Sequence, residues 1–400
     1  MILGNSPVVS VSIKSNAFWR WFPGGMRRRW WLFRLFDLFC RHMPIFKNRQ
    51  GLAIIRMDGI GDMVLFRQSL DHYAEAFSVD NSEITVIGCK SWQSISSEIF
   101  TGYKVLSINE HAYARKSFYR LYINLKMRLL APKTVVLDAY FRRALMADSL
   151  AWVTGAPRTY VSYPYISEPT HSEFTYYLSL ATDVIDTGLY PIHELDRHAA
   201  FISHFCLEPH KAVPPVLNWR NKVPILPFGD TYVVLNPGSN EYGRRWPLEE
   251  YVFLSKWLVK NGVCVVFVGK ADERSITDLI LEDGKDQNIL DMTGKTNLPE
   301  LMDILNYATL VVTNDTGPMH LAIGLGTPTV AIIGGGHFGS FVPYPKQATP
   351  DTVRFVYQYM DCYHCFWRCP KRENPRESFP CVAAVTQDQV QAACLELLSE

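Results

Sequence analysis

Three short segments of this chain carry residue types suited to an activated phosphate ester and a hydroxyl group. One is Thr313-Asn314-Asp315-Thr316-Gly317-Pro318-Met319-His320, set between two apolar runs. A strand that ends in Asn-Asp-Thr-Gly and passes at once into a helix leaves backbone N–H groups facing the turn. Asp315 or Thr316 would cap that helix, and Gly317 would let a ligand close to the backbone. An anion such as a diphosphate fits that position. A second segment is Asn236-Pro237-Gly238-Ser239-Asn240-Glu241-Tyr242-Gly243-Arg244-Arg245-Trp246-Pro247. Adjacent Arg244 and Arg245 offer planar forks that match phosphate oxygens, beside the Ser239 hydroxyl. Pro247 suits a first helical turn.

The third segment is Arg56-Met57-Asp58-Gly59-Ile60-Gly61-Asp62. Gly59 and Gly61 make a backbone that a sugar or phosphate can approach. Asp62 sits where the loop becomes a helix, placed to act as a base or only to cap. A dinucleotide fingerprint would carry a third glycine, which is missing, so nicotinamide chemistry is disfavoured. Val268-Gly269-Lys270-Ala271-Asp272-Glu273-Arg274 is a further strand-to-loop junction, with Lys270 able to reach a nucleotide's base or ribose.

Each segment needs a strand behind it and a helix ahead of it. From Leu52 the expected strands are Leu52–Met57, Glu83–Gly88, Lys104–Ile108 and Thr134–Tyr140, with a helix from Asp62 to about Phe77. Val213 to Asp230 is Pro-rich and reads as a linker. The rhythm resumes with strands Tyr232–Asn236, Val263–Gly269, Asn288–Met292, Leu310–Thr313 and Thr329–Gly334. Helices are expected at Leu248–Asn261, Glu273–Glu282, Pro299–Tyr307, Pro318–Leu325 and Gln387–Leu398. This is the pattern of parallel sheets covered on both faces. The expected architecture is α/β: a leader (1–50), a Rossmann-like domain (51–212), a linker (213–230) and a second Rossmann-like domain (231–400), the two facing across a cleft.

Charge is uneven. Residues 1–50 hold nine Lys or Arg against one acid, Asp37, a net of +8; the other 350 residues carry 31 basic and 38 acidic side chains, a net of −7. That folded body disfavours nucleic acid as a partner. In the leader, Phe18, Trp19, Trp21, Phe22, Trp30, Trp31, Phe33, Phe36 and Phe39 are interspersed with the basic residues. Such a segment suits the headgroup layer of an anionic membrane; the alternative is a helix packed on the body with its Arg heads in water. No apolar run reaches the roughly 18 residues of a membrane span.

Taken together and in order, these blocks resemble glycosyltransferase family 9, the lipopolysaccharide heptosyltransferase-like family. The resemblance spans about Leu52 to Cys381 and includes Gly326-Thr327-Pro328-Thr329-Val330. It implies a GT-B fold, with the acceptor bound mainly by the first domain and the donor by the second. It also implies an inverting, metal-independent transfer with no cofactor, from a nucleotide-sugar (ADP-heptose or another) to a lipopolysaccharide or other lipid-linked glycan. Asp62 matches the general base, and Arg56, Gly59 and Gly61 lie on the acceptor-side loop. Arg244 matches the basic residue that holds the donor diphosphate, and Asp315, Thr316 and Gly317 match the donor-binding turn. His320 follows one helical turn on, and Arg245, Ser239 and Lys270 complete the donor set. The place of work implied is the cytoplasm, at the inner face of a bacterial inner membrane. A nucleotide-sugar epimerase or hydrolase on the same fold is the alternative.

Cys362, Cys365, Cys369 and Cys381 form a late cluster, open between a structural zinc site, disulfides and reduced thiols. The other five cysteines sit in apolar contexts and read as core residues.

Overall fold

The computed structural model describes residues 28–167, 170–227, 231–271 and 286–399. Most of the leader lies outside them, as do the Trp30 and Trp31 side chains, Gly229-Asp230, Asp272 to Arg274 and the helix expected over Glu273–Glu282. Two compact units emerge. One comprises the chain up to Gly59, Ser69–Tyr190 and Asp196–Lys211; the other comprises Ile60–Gln68, Pro191–Leu195 and the chain from Ala212 onward.

Elements run in the order α1 (Arg28–His42), β1 (Leu52–Arg56), α2 (Ile60–Phe77), β2 (Ile84–Cys89), α3 (Ser96–Ile99), β3 (Lys104–Ile108), α4 (Glu110–Arg115), α5 (Ser117–Leu130), β4 (Thr134–Leu137), α6 (Ala147–Thr154), β5 (Arg158–Ser162), α7 (His171–Leu178), β6 (Asp183–Ile185) and α8 (Glu194–Ser203). After the Pro-rich stretch come β7 (Tyr232–Asn236), α9 (Leu248–Lys260), β8 (Cys264–Phe267), β9 (Ile289–Asp291), α10 (Leu298–Asn306), β10 (Leu310–Asn314), α11 (Gly317–Leu325), β11 (Thr329–Ile332), β12 (Val353–Val356), α12 (Pro380–Ala383) and α13 (Gln387–Leu398).

Each unit holds a six-stranded parallel sheet. The orders are β3-β2-β1-β4-β5-β6 and β12-β11-β10-β7-β8-β9, the same topology twice. In both, the first strand sits centrally, between the second and the fourth. The chain's direction of progress therefore reverses beside β1 and beside β7, which is where open α/β sheets take ligands. Every residue of β1, β7 and β10 is buried, as strands covered on both faces must be.

Local chemistry sets the boundaries. Asn297 and Glu300 form a capping box before α10, and Thr386 and Gln389 form one before α13. Gly326 ends α11 at φ 81°, a backbone that a side chain would strain. The strands β5, β6 and β12 escaped the sequence reading. Arg158–Ser162 is polar at both ends, Asp183–Ile185 has three residues, and β12 is interrupted by Arg354, so none shows a continuous apolar run.

The described part of the leader does not lie free. Asp37 of α1 is fully buried and accepts from Arg120 Nε (2.8 Å), Arg120 Nη2 (2.7 Å), Asn124 Nδ2 (2.6 Å) and Ser149 Oγ (2.8 Å). Removing that carboxylate would strand the buried Arg120 guanidinium. One face of α1 thus packs on the body, and against the expectation of Arg heads in water Arg34 and Arg41 turn inward, their guanidinium groups 3.7 and 4.8 Å from the Trp152 ring centroid.

Candidate active site

Two loop mouths of the second unit are stapled together by asparagines. Asn236 closes β7, and its Nδ2 donates to Thr313 Oγ1 (2.9 Å) and Thr316 Oγ1 (3.3 Å). Asn314 closes β10; its Oδ1 accepts from the Trp246 N–H (2.9 Å) and the Tyr251 hydroxyl (3.1 Å), and its Nδ2 donates to Pro237 O (2.8 Å). All but the bond to Thr316 are buried, so each staple exchanges an otherwise costly orphan for a fixed loop. Nothing in the sequence alone marks either asparagine as a positioning residue.

The α11 start differs from expectation. Thr316 holds the N-cap position but its side chain accepts no N–H of the first turn. The hydroxyl is engaged elsewhere, accepting from Asn236 and donating to Asn314 O (3.4 Å). The cap that Asp315 or Thr316 was to supply is therefore not made, and the helix dipole remains available to an anion.

Around this turn the charges gather. Asp315 is 8% exposed, and its carboxyl is pushed up by burial, pulled back by Arg244, and pushed up again by Asp62. One buried acid thus feels both the candidate base and the candidate diphosphate ligand. Asp62 lies in the first turn of α2, where a negative charge complements the dipole. Gly61 lies against His320: a Cβ there would stand 2.6 Å from Cδ2 and 3.1 Å from Nε2. Gly317 faces Ile60 in the same way, at 3.3 Å. Gly59 lies in the first unit, at its boundary with Ile60.

Arg244 and Arg245 behave differently. Arg244 stacks 4.1 Å from the Trp367 centroid, and among the described residues its buried Nε has no hydrogen-bond partner, which leaves the guanidinium open to a ligand. Arg245 folds back instead, donating from Nε (3.1 Å) and Nη2 (2.7 Å) to the carbonyl of Ser239, and so shapes the loop. Ser239 is 6% exposed, and Lys270 Nζ donates to Asn240 Oδ1.

A histidine pair backs the site. His320 Nδ1 lies 2.6 Å from the Tyr344 hydroxyl. His193 Nδ1 accepts from the Leu195 N–H (3.1 Å), which makes Nε2 the donor to Phe341 O (2.8 Å) and fixes a neutral ring. Burial, then His193, pushes His320 down to about 3. Burial, then Arg244, pushes His337 down to about 4. Tyr344, His193, His337 and Trp367 went unnoticed in the sequence, because each is brought in by tertiary packing and none falls in a strand-to-helix motif.

The cysteine segment serves as a platform. His364, Phe366 and Trp367 adopt left-handed φ values of 68°, 52° and 59°. They are held there by bonds from the His364 N–H to Gly335 O (2.7 Å) and from the Phe366 N–H to Gly336 O (2.9 Å). Gly335 and Gly336 accept the rings of Tyr363 and Trp367, where a Cβ would meet ring carbon at 2.1 Å. That stacking carries Trp367 over Arg244. The thiols of Cys362, Cys365, Cys369 and Cys381 form no disulfide, and among the described residues no three His, Cys, Asp or Glu side chains converge as ligands. Cys381, in α12, feels the charge of the other three thiols.

In the first unit, Arg56 is 1% exposed. It bridges Asp138 Oδ1 (2.7 Å) and Asp58 Oδ2 (2.8 Å). Tyr73 donates to Asp138 Oδ2 (2.7 Å), and His198 Nδ1 lies 3.1 Å from the same oxygen. Burial alone would raise Asp138; Arg56, His198 and the hydrogen bonds outweigh it and hold the carboxyl below the usual range. The network anchors the Asp58-Gly59 turn that leads to Asp62.

The model of glycosyltransferase family 9 (heptosyltransferase) matches residues 190–365, a stretch containing Asn236, Arg244, Asp315 and His320. The chain is heptosyltransferase-like, and its fold is GT-B. A lipooligosaccharide heptosyltransferase 2 from Haemophilus influenzae is 35% identical over 103 residues, 24% of this chain and 30% of that relative. The aligned segment thus spans under a third of the curated relative's length. The glycosyltransferase family 9 structure from Veillonella parvula superposes with a TM-score of 0.67 at 17% identity, covering 89% of this chain and 99% of that one. E. coli heptosyltransferase WaaC, solved with ADP-2-deoxy-2-fluoro heptose, gives 0.61 at 13% identity, covering 87% and 99%. The heptosyltransferase-like chain therefore shares the fold almost end to end and the sequence only in part.

Proposed function

We propose that the chain is an inverting glycosyltransferase that moves a heptose or similar sugar from an ADP-heptose-type donor onto a lipopolysaccharide or other lipid-linked glycan. It would work at the inner face of a bacterial inner membrane. One observation carries the reading: Gly61 lies against His320 and Gly317 against Ile60, which brings the start of α2, with Asp62, beside the turn that holds Asp315.

The Asp62 carboxylate takes the proton of the acceptor hydroxyl as that oxygen bonds to the anomeric carbon. The bond from the anomeric carbon to the diphosphate oxygen breaks on the opposite face, through an oxocarbenium-like state. The leaving diphosphate gathers charge, which the open Arg244 fork and the α11 N-terminus stabilise, so the step runs without a metal. Ser239 and Lys270 line the donor loop, Gly317 lets the diphosphate near the backbone, and neutral His320 packs the mouth without adding charge. The second unit takes the donor and the first takes the acceptor.

The test is product analysis with ADP-heptose and a lipid-linked core acceptor. Transfer with inversion supports the reading. Sugar release or isomerisation that needs no acceptor would replace it with a hydrolase or epimerase.

A further inference from the structure

Helices α1 and α5 bury charged side chains beside Phe33, Cys40, Ile123 and Met127, and expose large apolar ones. In α1, Arg34 and Asp37 are buried and Arg41 turns inward with its guanidinium 4.8 Å from the Trp152 centroid, yet Leu35 and Phe39 are 66% and 58% exposed. In α5, Arg120 and Asn124 are buried and Arg128 donates to Met43 O (2.9 Å) and Thr154 O (3.0 Å), yet Phe118, Tyr122 and Leu129 are 85%, 50% and 58% exposed. A helix folded for water on its outer face does the reverse. Scattered exposed apolar residues are ordinary; a stripe of them with the charges turned inward is not.

The two stripes lie on neighbouring helices. Asp37 pairs with Arg120, Cys40 lies by Leu121 O, and Met43 O accepts from Arg128, so the helices run parallel. Both helices pack on α6, all of whose residues are buried, so both stripes face away from it. Lys47, Arg115, Lys116, Lys126 and Lys133 are exposed around them. The only acids in residues 33–50 and 110–133 are buried Asp37 and half-buried Glu110, which sits beside His111.

We propose that this α1–α5 face docks on an anionic lipid surface, with Leu35, Phe39, Phe118, Tyr122 and Leu129 entering the headgroup boundary and the surrounding lysines and arginine pairing with lipid charge. An apolar stripe flanked by exposed cations is the complement of such a surface. No described helix is long and apolar enough to cross a membrane, so the contact is shallow. The inference deepens the lipid-linked acceptor reading by naming the face that meets the membrane, and it rests on that reading for its purpose.

The experiment uses the full chain, without donor or acceptor, and vesicles of phosphatidylcholine with or without about one-third phosphatidylglycerol. Sedimentation should show partition onto the anionic vesicles, at least about tenfold weaker binding to neutral ones, and release on raising the salt. The double variant F39S/Y122S should bind at least about tenfold more weakly, since it withdraws two large apolar side chains from the interface. K116E/K126E should lose only the anionic preference. Both should keep the melting temperature and nucleotide-sugar binding of the parent chain. The proposal is overturned if these variants bind vesicles as the parent does, if the parent binds neither vesicle, or if F39S/Y122S instead dissolves a dimer seen by sedimentation velocity. Vesicle binding without transfer would count against the proposed reaction alone.

Discussion

Gly61 lies so close to the His320 imidazole that a Cβ at position 61 would stand 2.6 Å from the ring's Cδ2. Replacing Gly61 by Ala therefore forces the first turn of α2 away from α11 and moves Asp62 with it. The expected cost is about 1–3 kcal/mol of stability and a fall in kcat of at least about tenfold, because displacing a base by an ångström is costly. Steady-state kinetics with a thermal melt checks this; a variant with unchanged kcat would show that the contact does not position Asp62.

Arg244 and Arg245 should separate by parameter. Arg244→Ala removes an open, charge-bearing fork and should weaken donor binding about 10- to 100-fold while leaving the fold intact. Arg245→Ala removes two bonds to the Ser239 carbonyl and should lower the melting temperature as well. Calorimetry with ADP and ADP-sugar decides. Equal effects on affinity and stability from both variants would contradict the division.

His320 and His337 stay neutral when folded, at about 3 and about 4, against 6.5 for a free imidazole. Between those values the unfolded chain binds more protons, so stability is lost as pH falls from about 6.5 toward about 4. Asp315 acts with the opposite sign: its raised carboxyl favours the folded state at low pH, and that contribution is lost as pH rises through its folded value. Denaturant midpoints measured from pH 7.5 to 4.5 should fall with acidity, and less steeply in His337→Gln. Asp315→Asn should be at least as stable as the parent at pH 7.5 while losing donor affinity. Parallel curves for all three proteins would contradict these assignments.

Asp37→Ala leaves the Arg120 guanidinium buried without its carboxylate. A loss of about 3–5 kcal/mol is expected from breaking such a pair on one side, read by urea denaturation. A loss below about 1 kcal/mol would mean that α1 is not anchored there.

The strands that carry the motifs were legible because β1, β7 and β10 are continuous apolar runs ending in turn residues. Short, polar-ended β5 and β6 were not, since sheet neighbours alone define them. At the site, the turn at Asp315 and the base at Asp62 could be picked out by their place between strand and helix. Nothing in the spacing separated Arg244 from Arg245; a carbonyl at Ser239 and a ring at Trp367 do that, and both are matters of packing. Asp37 was counted as one acid among nine cations in the leader, while its burial depends on Arg120, more than eighty residues away. The cysteine spacing left zinc, disulfides and thiols open, and it gave no sign that left-handed His364, Phe366 and Trp367 turn that segment toward Arg244.

The central claim is that Asp62 is the base that deprotonates the acceptor. Asp62→Asn keeps the shape and removes the proton acceptor, so calorimetry on this variant, paired with transfer assays, tests it most directly. Nucleotide-sugar affinity should stay within about threefold of the parent while kcat falls by about 10²–10⁴. Transfer at the parent's rate with donor binding intact would contradict the account.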